Sequence, residues 1–139
     1  MAAHNKFNSF AGQLLRGAHN FDSHVFKVAL TNSAPVNTNT ILANITQIAA
    51  SGGYVAGGYT LDGVVLSESS GTAKVAIADE VITAAGGSVG PFRYAVVYND
   101  TSTGDMLMCW YDYGAPVTLL DTESFTLDFD GSAGVFTLA

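Results

Sequence analysis

Charge is what this chain has least of. Charged residues fill 12% of its 139 positions, against about 25% in an ordinary soluble domain. Only five are Lys or Arg, and they are dispersed. Nucleic-acid binding needs clustered cations to displace counterions from phosphates. Lys6, Arg16 and Lys27, spread over the first 27 residues, form no polybasic arm. The composition therefore speaks against a nucleic-acid partner. Residues 1–31 carry a balance of +2 and the remainder −9, so the body is acidic and its carboxylates read as a solvated, solubilising surface. Low charge with a positive mean hydropathy also fits a chain whose apolar surface is partly covered by a partner.

Cysteine is almost absent as well. Cys109 stands alone, which excludes an intramolecular disulfide framework. Between Met108 and Trp110 it reads as a small buried thiol rather than a nucleophile, with no neighbouring His to lower its pKa. No window approaches the roughly 18 apolar residues that span a bilayer, so no membrane partner is expected. MAAHNKFNSF lacks the charged start and continuous apolar stretch of a signal peptide. Synthesis in a reducing cytoplasm is the expectation.

Catalytic devices are missing too. There is no G-x-S-x-G elbow, no H-E-x-x-H and no Cys/His spacing suited to zinc. The glycine-rich SGGYVAGG (Ser51–Gly58) has neither the Lys-Ser/Thr of a phosphate loop nor the G-x-G-x-x-G order of a dinucleotide fold, and reads as a tight turn. His4, His19 and His24 all fall in the first 24 residues, where His19 and His24 are poorly placed to share a metal. Asp121, Glu123, Asp128 and Asp130 invite a glycosidase or a calcium reading. Asp128 and Asp130 lie on one strand face about 7 Å apart, a separation glycosidases use. An outward face, however, offers neither a cleft nor the desolvation to raise one pKa, and the calcium-loop glutamate is missing. No catalytic residue, cofactor or metal ligand is assigned.

What is present is period-two alternation. Phe92–Tyr98 and Met106–Tyr113 are aromatic-rich runs split by the polar Asn99–Asp105, a hairpin signature. Phe26, Val28 and Leu30 share one face of a strand, and Phe125, Leu127 and Phe129 share one face of another. Further strands are read at 61–67, 72–78, 117–120 and 135–138, with a short one at 81–84. Residues 41–50 suit a short helix as well as a strand. Eight or nine short strands with turn signals every ~8–12 residues predict an all-β fold, an antiparallel β-sandwich or barrel of jelly-roll-like type. The only good helical spacing is Phe7, Phe10, Leu14 and Leu15 within residues 6–19, weakened by Gly12 and open to termination at Gly17. The expected organisation is a helical segment or arm at 1–20, packed on the body or on another subunit, followed by a β-sandwich domain at 21–139.

Seven aromatic side chains, Tyr54, Tyr59, Tyr94, Tyr98, Trp110, Tyr111 and Tyr113, could stack on a sugar or peptide, although their alternation favours burial. Trp110 shares a face with Met106 and Met108, while Tyr111 and Tyr113 share the other with Leu107 and Cys109. A strand apolar on both faces is central or covered by a partner. Phe7, Phe10, Leu14, Trp110, Tyr111 and Tyr113 are accordingly the candidate partner interface.

Five stretches, KVALTNSAPV (Lys27–Val36), LANITQIAASGGYVAGGYT (Leu42–Thr60), GGSVGPFRYAVVYNDT (Gly86–Thr101), WYDYG (Trp110–Gly114) and SFTLDFDGSAGVFTLA (Ser124–Ala139), resemble a group of small virion proteins of tailed bacteriophages. They cover most of the chain after residue 26. The resemblance implies a non-enzymatic structural component of the particle, a decoration or cement protein on the capsid surface. Its partners would be the major capsid protein and further copies of itself, and its location the virion, after synthesis in the host bacterial cytoplasm. A tail or fibre component, with carbohydrate bound through the tyrosines, is the alternative role. A glycan hydrolase using Asp128 and Asp130 is the third.

Overall fold

The computed structural model describes residues 2–139. Two elements lie near the start, β1 (Ala3–Lys6) and α1 (Phe10–Leu15), and β2 (Phe26–Thr31) follows. The middle of the chain forms β3 (Tyr59–Thr60), β4 (Val65–Ser69), β5 (Thr72–Ala76) and β6 (Glu80–Thr83). The last part forms β7 (Val89–Asn99), β8 (Met106–Leu119), β9 (Ser124–Leu127) and β10 (Phe136–Leu138). Every named pairing is antiparallel. A five-stranded sheet runs β1-β8-β7-β2-β3, a three-stranded one β10-β5-β4, and a two-stranded one β6-β9. The fold is an all-β sandwich of open sheets; the closed barrel is not formed.

The five-stranded sheet is buried on both faces because its central strands are apolar on both. On one face Phe26, Val28 and Leu30 of β2 join Ala95 and Val97 of β7 and Met108 of β8 in the main core. That core also takes Val75, Ile82, Leu127 and Phe129 from the smaller sheets and their flanks, and Phe10 from α1. On the other face Ala29, Val96, Tyr98 and Leu107 pack with Phe7 and Ile45, flanked by Leu42 and Trp110. Burying an aromatic or branched side chain of this size contributes about 2 kcal/mol by transfer alone, so the second core is not incidental. Of the two places expected for the Trp110 strand, central or covered by a partner, it takes the central one, since β8 lies between β1 and β7.

Several expected boundaries move. The helix expected over 6–19 shrinks to Phe10–Leu15. Lys6 is extended and pairs with Cys109, and Gly17 (φ +80°) ends the helix in the left-handed region. The first residues therefore dock on their own domain as a sheet strand. The strand expected at 61–67 starts only at Val65, after Gly63 (φ +60°) has turned the chain. The strands expected at 106–113 and 117–120 are one, β8, whose pairing with β7 continues to Phe92↔Val117 and Val89↔Leu119 across register shifts. Residues 41–50 hold one 3₁₀ turn at Leu42–Asn44 and are otherwise irregular. The turn between β4 and β5 has both central residues at positive φ, Ser70 (50°) and Gly71 (80°), the geometry that joins twisted strands in two residues.

Candidate functional site

An open cleft of about 540 Å³ lies where the three-stranded sheet meets the end of α1. Leu14 and Leu15 of α1 form one wall and the Gly17–Asp22 strap, with His19 and Phe21, another. Leu66 of β4, Ala73 and Val75 of β5, and Phe136 and Leu138 of β10 form the floor. The registers Leu66↔Val75, Phe136↔Val75 and Leu138↔Ala73 put these floor residues on one face of the sheet. Leu15 is 82% exposed, Leu138 51% and Leu66 42%. Isolated exposed leucines are ordinary, but three around one hollow form a patch. β4 is the edge of its sheet and is exposed along its whole length, so its outer backbone groups border the same cleft.

The residues expected to meet a partner divide. Phe7, Phe10 and Tyr111 lie in this chain's own core, so they offer no free surface, and their place in the expected interface is corrected accordingly. Phe7 stacks obliquely on Trp110 at 4.6 Å, and Phe10 meets Phe136 edge-on at 5.0 Å. Trp110 and Tyr113 are half-buried, Tyr113 edge-on to Phe125 at 5.1 Å. Only Leu14 of the six lines the cleft. Tyr54, Tyr94 and Tyr98 are buried as well, so these tyrosines form no exposed stacking platform.

The glycine loop is clamped by side chains. The Tyr54 hydroxyl accepts the N–H of Leu30 at 3.0 Å and donates to Gln47 Oε1 at 2.7 Å. The same Gln47 oxygen accepts the N–H of Gly57 at 2.8 Å, and the Tyr98 hydroxyl donates to Gly57 O at 2.6 Å. Burial pushes the Tyr54 phenol up to about 12, so it stays protonated in this role.

The C-terminal acids build turns. Asp128 Oδ1 accepts the N–H of Asp130 at 2.9 Å, and Asp130 Oδ1 accepts those of Ser132 and Ala133 at 3.1 and 3.0 Å. Asp121 and Glu123 cap the N–H groups of Gly86 and Leu120. Arg93 meets Asp112 through two hydrogen bonds of 2.8 and 3.1 Å across β7 and β8. The hydrogen bond to Asp112 raises the guanidinium pKa, and that to Arg93 lowers the carboxyl. Among the described residues no group of three or more His, Cys, Asp or Glu is placed to hold a metal ion. No described helix is long and apolar enough to cross a membrane.

One cluster escapes sequence reasoning. Asn99, fully buried at the end of β7, reaches both His19 and His24, residues 80 and 75 positions away. Only the Asn at the head of a polar turn is visible in sequence, and that marks a turn rather than a network. Burial, aided by the neighbouring His24, pushes His19 down to about 4.

Comparison of the chain with protein-family models, with curated proteins and with solved structures finds no match.

Proposed function

We propose that this chain is a non-enzymatic decoration (cement) protein of a tailed-bacteriophage head, bound to the outer surface of the major capsid protein lattice. The sequence resemblance supplies the class. The structural observation that supports it is the apolar cleft edged by Leu15, Leu66 and Leu138, beside the unpaired edge of β4. A lattice segment seated there would remove apolar area from water at about 25 cal/mol per Å² and could add a strand to the free edge. Repetition by symmetry multiplies a weak contact into a stable shell. The contact face is thus moved from the aromatic residues of β8 to the leucines of the cleft.

The test is binding of purified protein to expanded empty capsids, with and without Leu66→Asp and Leu138→Asp together. The intact protein is expected to bind and to raise the capsid disruption temperature. The double variant, altered at exposed sites, should fold but not bind. Failure of the intact protein to bind would end the proposal, and immunogold labelling at the tail would assign a tail role instead.

A further inference from the structure

The Asn99 cluster has its hydrogens fixed by its partners. Asn99 Oδ1 accepts the backbone N–H groups of Thr101 and Ser102 at 3.0 and 3.2 Å, which turns Nδ2 towards the histidines. That nitrogen lies 2.9 Å from His24 Nδ1, 3.0 Å from His19 Nδ1 and 3.4 Å from Ala18 O. Its two protons serve the two shorter contacts. His24 Nδ1 also accepts the backbone N–H of Asn20 at 3.2 Å, a group that can only donate. Both Nδ1 atoms are therefore acceptors, and both rings carry their proton on Nε2. His19 Nε2 accordingly faces an acceptor, Gln13 Oε1, at 3.3 Å.

The strap that carries these histidines, residues 17–25, joins α1 to β2 and walls the cleft. Phe21 stacks on Phe26 at 5.0 Å, and Val25 N–H donates to Thr101 Oγ1 at 2.8 Å. Charged groups on the surrounding elements are few. Arg16 ends α1, Asp22 lies on the strap, and Lys27 of β2 pairs with Asp100 of the β7–β8 turn at 3.5 Å. Asp105 closes that turn, and Glu68 shares the cleft-side face of β4 with Leu66. Across the cleft, Ala73, Val75, Phe136 and Leu138 carry no charge. Among the described residues no carboxylate hydrogen-bonds or pairs with either imidazole. A proton arriving at Nδ1 meets only donors.

We propose that Asn99, His19 and His24 form an acid-operated latch: a proton taken up at His19 Nδ1 sets N–H against N–H at Asn99, frees the strap from the end of β7 and widens the cleft. The inference stands on hydrogen-bond geometry and does not depend on the capsid reading. With the strap closed His19 titrates near 4, and when freed it returns towards its ordinary 6.5. The open strap binds more protons between those values, so opening grows as pH falls below about 6.5 and levels off near 4. From pH 7.5 to 5.0 the opening constant should rise roughly 30-fold.

Amide hydrogen exchange, corrected for intrinsic rates, reads this directly. Between pH 7.5 and 5.0 the amides of residues 17–25 should open roughly 30-fold more, ahead of those in the centre of β7 and β8. Strap exchange that does not change with pH would overturn the proposal. Asn99→Asp keeps the bonds to Thr101 and Ser102 but replaces the donor with an acceptor, so its strap should tighten on acidification. An unchanged sign in that variant would equally overturn it. Should the variant not fold, nitrogen-15 spectra of the wild-type imidazoles at pH 7.5 decide. Neutral Nε2–H tautomers for both rings are expected, and an Nδ1–H ring at either position refutes the latch.

Discussion

The hydroxyl of Tyr54 caps the backbone N–H of Leu30, 24 residues earlier, at 3.0 Å in the interior. Leu30 lies at the end of β2 beyond the reach of β3, whose pairing covers only Lys27 and Val28. The phenol thus takes the place of a missing strand and ties the glycine loop to the sheet. Tyr54→Phe leaves the Leu30 N–H buried and unpaired and removes the donor to Gln47. A loss of about 1–3 kcal/mol is expected in urea unfolding. An unchanged midpoint would show that water replaces the phenol at no cost.

Two glycines of that loop should respond very differently to alanine. A Cβ on Gly58 (φ +76°) would overlap Val28 O and crowd Ala29 Cα, backbone that cannot yield without parting β2 from β3. A Cβ on Gly53 (φ +96°) would meet nothing within 4 Å. Gly53→Ala should cost about 1–2 kcal/mol for its left-handed backbone alone, and Gly58→Ala clearly more. Thermal unfolding of the pair checks this, and equal effects would contradict the close approach.

Phe7 is fully buried in the smaller core against Trp110. Phe7→Ala should cost about 3–5 kcal/mol and move the fluorescence of the single tryptophan. A segment that merely trailed from the domain would show neither change.

Cys109 is buried, and burial pushes its thiol up to about 12. The folded protein should leave a thiol reagent untouched at pH 8, with reaction beginning only in denaturant. Prompt modification of the native chain would mean that β8 opens far more readily than its central position allows.

Legibility in the sequence followed apolar alternation along single strands. Phe26, Val28 and Leu30, and Phe125, Leu127 and Phe129, alternate as the structure has them. The two apolar faces of the Trp110 strand marked it as central or covered by a partner, and β8 is central. The first residues misled because Phe7 and Phe10, three apart, look like one helical face. They instead enter different cores, Phe7 on one side of the five-stranded sheet and Phe10 on the other. AHNK carries no apolar alternation at all; its strand exists through backbone pairing with β8. Phe7, Phe10 and Tyr111 were read as surface for a related reason: aromatic side chains stand out in a sequence, yet here most of them fill the interior. The Asn99 cluster joins residues 75 and 80 positions apart, a relation that no local pattern encodes.

The pairing of Ala3 with Asp112 also sets a timetable. β1 has no partner until β8 has followed it. Until then Phe7 and the apolar faces of β2 and β7 are without their cover. Topology of this kind slows folding, because distant ends must meet before their contacts can stabilise the chain. A chain stalled before β8 has been made would leave these faces open and be a substrate for chaperones rather than a folding unit.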